Sequence, residues 1–457
     1  MNPAAAELRV VGGGIAGLAA AWEGIGQGRA VTLLEASGRV GGLIRTSAID
    51  LPDGASLTID EAADAFLARV PDAVELCREL GLEDLFTEPA AERAMVWTPE
   101  GLKWFPTDTV LGVPLDIGAL EASGLLDGEG LDQVRSEAGR ADPALQVDTS
   151  VGALLRSRFG DQLVDRVVGP LVGGISAGDV DSMSVRACTP QLAEAAASPG
   201  SLSEHLATAR ASAPGGPVFH GLEGGTQLLT DALAAELEAR GAQILTGHAA
   251  QRLSSADLES ADHVITTPAA VASELLAEVS PSASALLERI PTASVVLVTY
   301  VFDTSRTGVR EAVEPGASGF LVPRDAGLLM TAVSWGSNKW RHWNDGHHLV
   351  VRASAGHSRD ARVEEMTDDE VAGAILADLG ATTGLEAEPV AVRVSRYTDG
   401  FHQYGVGHLE LVERIEAALA EETGGRVVLA GAAYRGVGIP ACIRQGRGAV
   451  RSLATRG

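Results

Sequence analysis

Cysteine is scarce in this chain of 457 residues: Cys77, Cys188 and Cys442 stand far apart and form no CxxC pair. That spacing excludes a disulfide framework and suits a reducing compartment. Lysine is scarcer still, with Lys103 and Lys339 the two lysines among 35 basic residues. A net charge of −26 excludes the basic surface that nucleic acids and anionic membranes require. No run of about 18 apolar residues occurs, so no transmembrane segment is expected, and at most weak peripheral membrane contact. Residues 1–7 carry neither a basic start nor an apolar core, so no signal peptide is expected and the location reads as cytoplasmic. Histidines, cysteines and acids do not take metal-ligand spacing, and neither a metal centre nor a nucleophilic serine is expected.

What the chain does have is glycine in a particular order. The apolar run Leu8 to Val11 reads as a buried strand and leads into Gly12-x-Gly14-x-x-Gly17. An alanine-rich helix to about Gln27 follows, then a second strand from Ala30 to Leu34 that ends on Glu35. This is the order of a βαβ dinucleotide unit. Its glycines allow a tight turn, a close approach of backbone to pyrophosphate and a helix–strand contact, while the helix N-terminus favours phosphate charge. Glu35 lies 18 positions after Gly17, where an acid accepts the ribose hydroxyls.

Further along, a helix is expected over 71–81 and strands over 93–97 and 102–106. Residues 107–210 become leucine- and alanine-rich with helical periods, and predict a helical insertion. A helix is expected over 226–240, and short strands over 243–245 and 249–253. A strand over 262–267 is expected to end the returning nucleotide unit. Alternation over 294–302, 319–322, 328–335, 348–355 and 390–397 predicts a mostly antiparallel sheet. A helix over 409–422, a strand over 426–430 and a last helix after 439 close the chain.

Several segments carry a family likeness. Glu35-x-x-x-Arg39-x-Gly41-Gly42 resembles the extended signature of the flavin amine oxidase and protoporphyrinogen oxidase superfamily. Asp60 to Phe66 resembles the Glu-x-Gly-Pro-Asp-Ser-Phe segment of protoporphyrinogen oxidases, with Ala62 and Ala63 in place of glycine and proline. Gly174 to Ser184 resembles Gly-Ile-Tyr-Ala-Gly-Asp-x-x-x-Leu-Ser, with Ser176 where tyrosine is usual. Ser334 to Trp340, Gln403-Tyr404-x-Val406-Gly407-His408 and Gly436-Val437-Gly438-Ile439-Pro440-x-Cys442-Ile443 carry the likeness to the end of the chain. The whole chain is thus similar to the FAD-dependent protoporphyrinogen/coproporphyrinogen III oxidase family, and most like the coproporphyrinogen III oxidases of high-GC Gram-positive bacteria.

The resemblance implies an α/β plus α+β architecture. A discontinuous Rossmann-like FAD-binding domain would take residues 1–90, 211–290 and 423–457. A mostly antiparallel substrate-binding sheet would take 91–106 and 291–422, and a helical insertion domain 107–210. For FAD, it implies Gly12, Gly13, Gly14, Ile15, Ala16 and Gly17 at the pyrophosphate, with Glu35 and Ala36 at the ribose. Arg39, Gly42, Ala62 and Ala63 would line the flavin side, and Ala250 would meet adenine through its backbone. Tyr397, standing where tryptophan is usual, would reach the isoalloxazine with Val437, Gly438 and Ile439. A helix starting near Gly438 would aim its positive end at the ring.

For the substrate, the resemblance implies that Arg93, in Arg-x-x-Val-Trp, pairs a propionate, with Ile175 and Gly178 on the opposing wall. The implied reaction removes six electrons from coproporphyrinogen III and reduces O2 to H2O2, in heme biosynthesis. It demands no strong side-chain base, and no catalytic residue is singled out. Protoporphyrinogen IX is the alternative substrate. A flavin amine oxidase, or a non-catalytic FAD- and tetrapyrrole-binding protein, are more distant alternatives. Transient handoff to other heme-pathway enzymes is a further implied partnership. Cys442, His402, His408, Trp335, Trp340 and Trp343 are expected to be packing residues. In the insertion, Asp116, Glu121, Asp127, Glu129, Asp132 and Glu137 argue against an apolar face set in a membrane.

Overall fold

The computed structural model describes residues 7–212 and 215–454, so the expectation for residues 1–6 lies outside it. Strand β1 (Glu7–Val11) passes through the glycine turn into helix α1 (Ile15–Gly26), and β2 (Val31–Glu35) follows. A hairpin, β3 (Thr46–Asp50) and β4 (Ser56–Asp60), precedes a second pair, β5 (Arg93–Thr98) and β6 (Gly101–Trp104). Residues 117–211 are mostly helical and include α2 (Gly169–Ser176). Then come α3 (Gln227–Ala239), β7 (Gln243–Thr246) and β8 (Ala261–Ile265). Four strands follow: β9 (Thr292–Asp303), β10 (Ala317–Leu321), β11 (Met330–Trp335) and β12 (His348–Ala355). The chain ends with α4 (Asp368–Thr383), β13 (Ala391–His402), α5 (His408–Glu422), β14 (Val427–Leu429) and α6 (Ile439–Ala454).

Two sheets organise these elements. The first is fully parallel, in the order β7-β2-β1-β8-β14. Helices cover both of its faces, burying Val10 and Val264 in one core and Val11 and Ile265 in another, although Glu7, Arg9 and Thr32 interrupt the apolar run. Leu8, Val10 and Leu33 are buried with α1 and with Ile443 and Val450 of α6. Helix α6 crosses α1 so closely that a Cβ on Gly446 would lie 2.1 Å from the Ala16 carbonyl oxygen. The second sheet has the order β13-β9-β12-β11-β10-β5-β6. Its pairs are antiparallel except β10 with β5, which joins segments some 220 positions apart. The alternation in sequence predicts this sheet well.

Helix α4 covers one face of the second sheet, burying Val371, Ile375 and Leu379 with Val298, Tyr300 and Trp335. The hairpin β3–β4 meets the sheet's other face through Ile49, Leu57 and Ile59, which share a core with Trp340 and Trp343. The insertion buries its own cluster of Leu and Val side chains, including Leu154, Val167 and Val172.

Four expectations need correction. Residues 249–253 form no strand: β7 ends at Thr246, and the chain turns so that the Leu253 N–H reaches the Leu275 carbonyl at 2.8 Å. Strand β8 does not end the parallel sheet, because β14 pairs along its outer side. Helix α5, placed with the substrate sheet by the 291–422 boundary, buries Val412, Ile415 and Leu419 against Val11 and Ile265 of the parallel unit. Glu137 is no surface charge. It is fully buried and caps the helix Leu202–Ala211, accepting from Ser201 Oγ at 2.9 Å and from the Leu202 N–H.

Candidate functional site

The carboxyl ends of β1 and β8 open a crevice at the point where the chain order of the parallel sheet reverses, the usual place for a ligand. Gly12 takes φ +106° there, a conformation that disfavours a side chain. Gly17 lets the helix sit on the turn, since its Cβ would lie 1.9 Å from the Gly12 carbonyl oxygen. No side chain caps the N-terminus of α1 at Gly14, leaving the first-turn N–H groups open to an anion. Ile15 and Ala16 are buried just behind, holding that turn to the core.

Glu35 closes one side of the crevice. Its Oε2 accepts from the Gly13 N–H at 2.7 Å and its Oε1 from the Ser37 N–H at 2.8 Å. Ala36 stands exposed beside it. The segment after β7 is tied to the same corner, with the His248 N–H on the Glu35 carbonyl at 2.9 Å and the Gly247 N–H on the Ser37 carbonyl at 2.7 Å. Ala250 follows two residues later, half-buried against the core of the parallel unit. Thr267, just past β8, holds a buried hydroxyl without a hydrogen-bond partner. An open helix N-terminus, an acid held beside the turn and an orphaned hydroxyl together fit a dinucleotide.

The loop after β2 bends back over the turn, with Gly14 bridging to Gly41. Arg39 shapes it from within: Nη1 donates to the carbonyls of Val40 and Ile44 at 3.0 Å each, and Nη2 to that of Gly42 at 2.7 Å. Gly42 lies against Gly14, where a Cβ on it would stand 3.1 Å from the Gly14 Cα, whereas Arg39 spends its donors on the loop itself.

Behind Ala62 and Ala63 lie three acids whose partners the sequence did not disclose. Asp60 accepts from Thr46 Oγ1 at 2.6 Å and from the Thr226 N–H at 2.8 Å, and burial pushes its pKa up. Glu61 meets Ser47, Ser395, Arg45 and Arg393, the last at 3.1 Å. Burial pushes Glu61 up, but Ser47 and Arg45 outweigh it and hold its pKa low. Asp64 meets Lys339, Trp340 and Arg352. Tyr397, half-buried on β13, lies near Glu61, Arg352, Arg45 and Arg39, and burial pushes its phenol up to about 12. These contacts join the crevice to the second sheet.

The third wall is the loop before α6. Val437 is 39% exposed, Gly438 has φ +89°, and Ile439 is buried as the first helical residue. Cys442, one turn on, is buried and its thiol is pushed up to about 12, as a packed group should be. His402 and His408 are likewise buried and bonded to backbone at Ala269 and Tyr434. Trp335, Trp340 and Trp343 are core residues.

Arg93, on the strand next to the edge of the second sheet, and helix α2 line a common cavity. Arg93 rims a cavity of about 240 Å³ lined by Phe105, Leu321 and, from the insertion, Leu171 of α2. Its guanidinium stacks 4.3 Å over the Trp104 ring, and among the described residues no carboxylate pairs with it. Leu171 and Ile175 are one helical turn apart on α2 and share a face, with Ile175 56% exposed. Gly178 does not join them: it packs against Met183 and Gln403, behind the end of α2.

One motif escaped the sequence reading. Gly174-Ile175-Ser176-Ala177-Gly178 has the spacing of a nucleophile elbow. Ser176, however, ends a helix instead of a strand, and its Oγ has Met183 Sδ as partner at 3.9 Å. Nothing there activates a serine. Among the described residues no group of His, Cys, Asp and Glu could hold a metal, and no helix is long and apolar enough to cross a membrane.

A crevice fit for a dinucleotide, joined through a charged interface to a mostly antiparallel sheet, defines a two-sheet dinucleotide-binding protein. The chain belongs to the flavin containing amine oxidoreductase family, whose profile matches residues 15–454. The coproporphyrinogen III oxidase of Mycobacterium leprae is 33% identical over 459 residues, covering 97% of each chain. That of Mycobacterium tuberculosis H37Rv is 31% identical over 455 residues, covering 97% of this chain and 96% of its own. A crystal structure from Exiguobacterium sp. 255-15, described as a candidate protoporphyrinogen oxidase, superposes with TM-score 0.87 at 29% identity over 99% of each chain.

Proposed function

We propose that this protein is an FAD-dependent oxidase that converts coproporphyrinogen III to coproporphyrin III in the cytoplasm, as a step of heme biosynthesis. The observation that carries this reading is Arg93, an exposed guanidinium with no carboxylate partner among the described residues of a chain of net charge −26, at the rim of a cavity shared with α2. A porphyrinogen is a flat apolar macrocycle edged with carboxylates. Arg93 can bind one propionate through two parallel hydrogen bonds, which fixes orientation as well as charge. Leu171 and Ile175 offer an apolar wall that excludes water from the ring.

FAD, when bound, supplies the two-electron acceptor that O2 regenerates with release of H2O2. The chain supplies its holders. The Gly12–Gly17 turn and α1 would take the pyrophosphate, Glu35 the ribose, and the loops at Gly42, Ala62–Ala63 and Val437–Ile439 the flavin end. The acids flanking the Ala62–Ala63 loop are held by partners: Asp60 by Thr46 and Thr226, and Glu61 and Asp64 in ion pairs. Aromatisation drives the substrate's loss of hydrogen, so positioning carries the catalysis.

Coproporphyrinogen has four propionates and protoporphyrinogen two. The mycobacterial relatives favour the former. The test is anaerobic mixing of the holoenzyme with each porphyrinogen while flavin bleaching is followed. Faster bleaching by coproporphyrinogen III is expected. Faster bleaching by protoporphyrinogen IX would reassign the substrate, and none by either would refute the reading.

A further inference from the structure

The Gln403-Tyr404-x-Val406-Gly407-His408 segment takes no part in the site described so far, yet it touches two of its walls. Gln403 Nε2 donates to the carbonyl of Ser176, the last residue of α2, at 2.9 Å. The next residue turns to the other wall. Tyr404 Oη donates to the Ala432 carbonyl at 2.7 Å and accepts from the Gly436 N–H at 3.1 Å, both in the loop that leads to Val437 and Gly438. The Tyr404 ring stacks on His408, with 4.0 Å between centroids and 15° between planes. His408 Nε2 in turn lies 2.7 Å from the Tyr434 carbonyl, in the same loop.

The α2 side is held as firmly. A Cβ on Gly178 would lie 2.7 Å from Met183 Sδ and 3.0 Å from Gln403 Oε1, so the turn after α2 is pressed onto Gln403. Met183 forms a β-bridge with Gly405, and the Ser184 N–H donates to the Tyr404 carbonyl at 2.8 Å. Tyr404 is 5% exposed, and burial raises its pKa, so the phenol keeps its proton and both bonds at any working pH.

We propose that Gln403 and Tyr404 are positioning residues that form a strut, fixing the spacing between α2 and the 432–438 loop so that the macrocycle meets the flavin at reacting distance. This rests on the function proposed above. Adjacent Cα atoms across a trans peptide are about 3.8 Å apart, so a single peptide unit links the residues that make the two contacts. Reacting atoms must come within about 3–3.5 Å, and a misplacement of about 1 Å costs on the order of a hundredfold in rate. The strut controls that gap without touching the substrate.

Tyr404→Phe keeps the ring and its stack on His408 but deletes both bonds to the loop. Gln403→Ala, at a half-buried position, deletes the bond to Ser176. Hydrogen exchange on the FAD-loaded proteins is the first readout. Tyr404→Phe is expected to speed exchange in 432–438 and also in 173–178, and Gln403→Ala to do the same from the other end. Exchange that changes in only the segment each side chain touches would refute the strut. Kinetics give the second readout: anaerobic bleaching at saturating porphyrinogen should slow by about tenfold or more, with KM within about threefold. FAD content and the rate of reoxidation by O2 should hold. A wild-type bleaching rate, or a loss that merely follows FAD content, would also overturn the proposal. Should the unmodified protein bleach with no porphyrinogen, the functional reading fails, while the exchange data still decide whether the strut couples the two walls.

Discussion

Arg352 Nη2 lies 2.8 Å from Asp64 Oδ2, bridging β12 and the loop that follows β4. The same guanidinium donates through Nη1 to the carbonyls of Asp60 and Ala62 at 2.9 and 2.8 Å. Lys339 Nζ stands 3.0 Å from the same carboxylate. Burial pushes Asp64 up, but Lys339 and Arg352 outweigh it and hold its pKa well below the usual carboxylate range. The group is a clamp on the Ala62–Ala63 loop, not a proton donor.

Arg352→Ala takes one of two cations from Asp64 and removes the donor to the carbonyls of Asp60 and Ala62, while Lys339 still pairs the carboxylate. It is expected to cost about 1.5–3 kcal/mol, measured by urea unfolding with and without FAD. The pH dependence follows from the depressed pKa. The unfolded carboxyl titrates near 3.9, so folded Asp64 binds fewer protons in that range. Its contribution is present in full above about pH 5 and is lost progressively as the pH falls from there toward the folded pKa, well below the usual carboxylate range. Asp64→Asn should flatten the acid limb of the stability profile; an unchanged limb would refute the assignment.

His402 predicts a second acid effect in a separate window. Its Nε2 accepts the Ala269 N–H at 3.2 Å, so the ring is neutral in the fold. Burial and the nearby His408 lower its pKa to about 4. The unfolded imidazole titrates near 6.5 and takes up a proton first, so stability should fall as pH drops from about 6.5 to 4, by up to about 3 kcal/mol. Above pH 7 the profile should be flat with respect to this group. His402→Gln keeps an acceptor and should remove the slope, whatever its baseline stability.

The glycine turn, Glu35 and the alternating strands were legible in the sequence because each is a local pattern set by neighbours a few positions apart. The partners of Asp60, Glu61 and Asp64 were not, because Thr226, Arg393 and Arg352 lie 166 to 332 positions away. Helix α4 was missed although a signal exists: Thr367 and Glu370 form a capping box ahead of Val371, Ile375 and Leu379. Alanines and glycines between those residues dilute the pattern. Residues 249–253 look like a strand by composition, but the edge of the parallel sheet is already filled by β7, and the segment crosses toward Leu275 instead.

Glu35 tests the nucleotide assignment directly. Its two oxygens already accept from Gly13 and Ser37, which holds the carboxylate at the turn before any ligand arrives. Glu35→Ala removes both that support and the acceptor for the ribose hydroxyls. FAD affinity, by fluorescence titration of apoprotein, is expected to fall by about tenfold or more, the loss of one or two charged hydrogen bonds. Glu35→Gln should lose less. Equal affinity in all three proteins would move the ribose elsewhere.

Arg93 gives the sharpest test of the substrate end. It sits on β5, outside the parallel sheet, stacked on Trp104 of β6, so its loss should leave FAD content unchanged. The stack itself is worth about 0.5–1 kcal/mol at an exposed site, so stability should shift little. Binding is another matter. A propionate loses a bidentate, charge-assisted partner, and KM for coproporphyrinogen III should rise by about tenfold in Arg93→Ala, equivalent to about 1.4 kcal/mol. Turnover at saturation should change less, because the contact is made equally before and during the reaction. Arg93→Lys keeps the charge but not the planar fork, and should recover part of the loss. High salt should narrow the gap between wild type and Arg93→Ala, since an exposed charge is screened. Wild-type kinetics in Arg93→Ala would leave Arg93 as a surface residue resting on a tryptophan, and would return the propionates to some other part of the cleft.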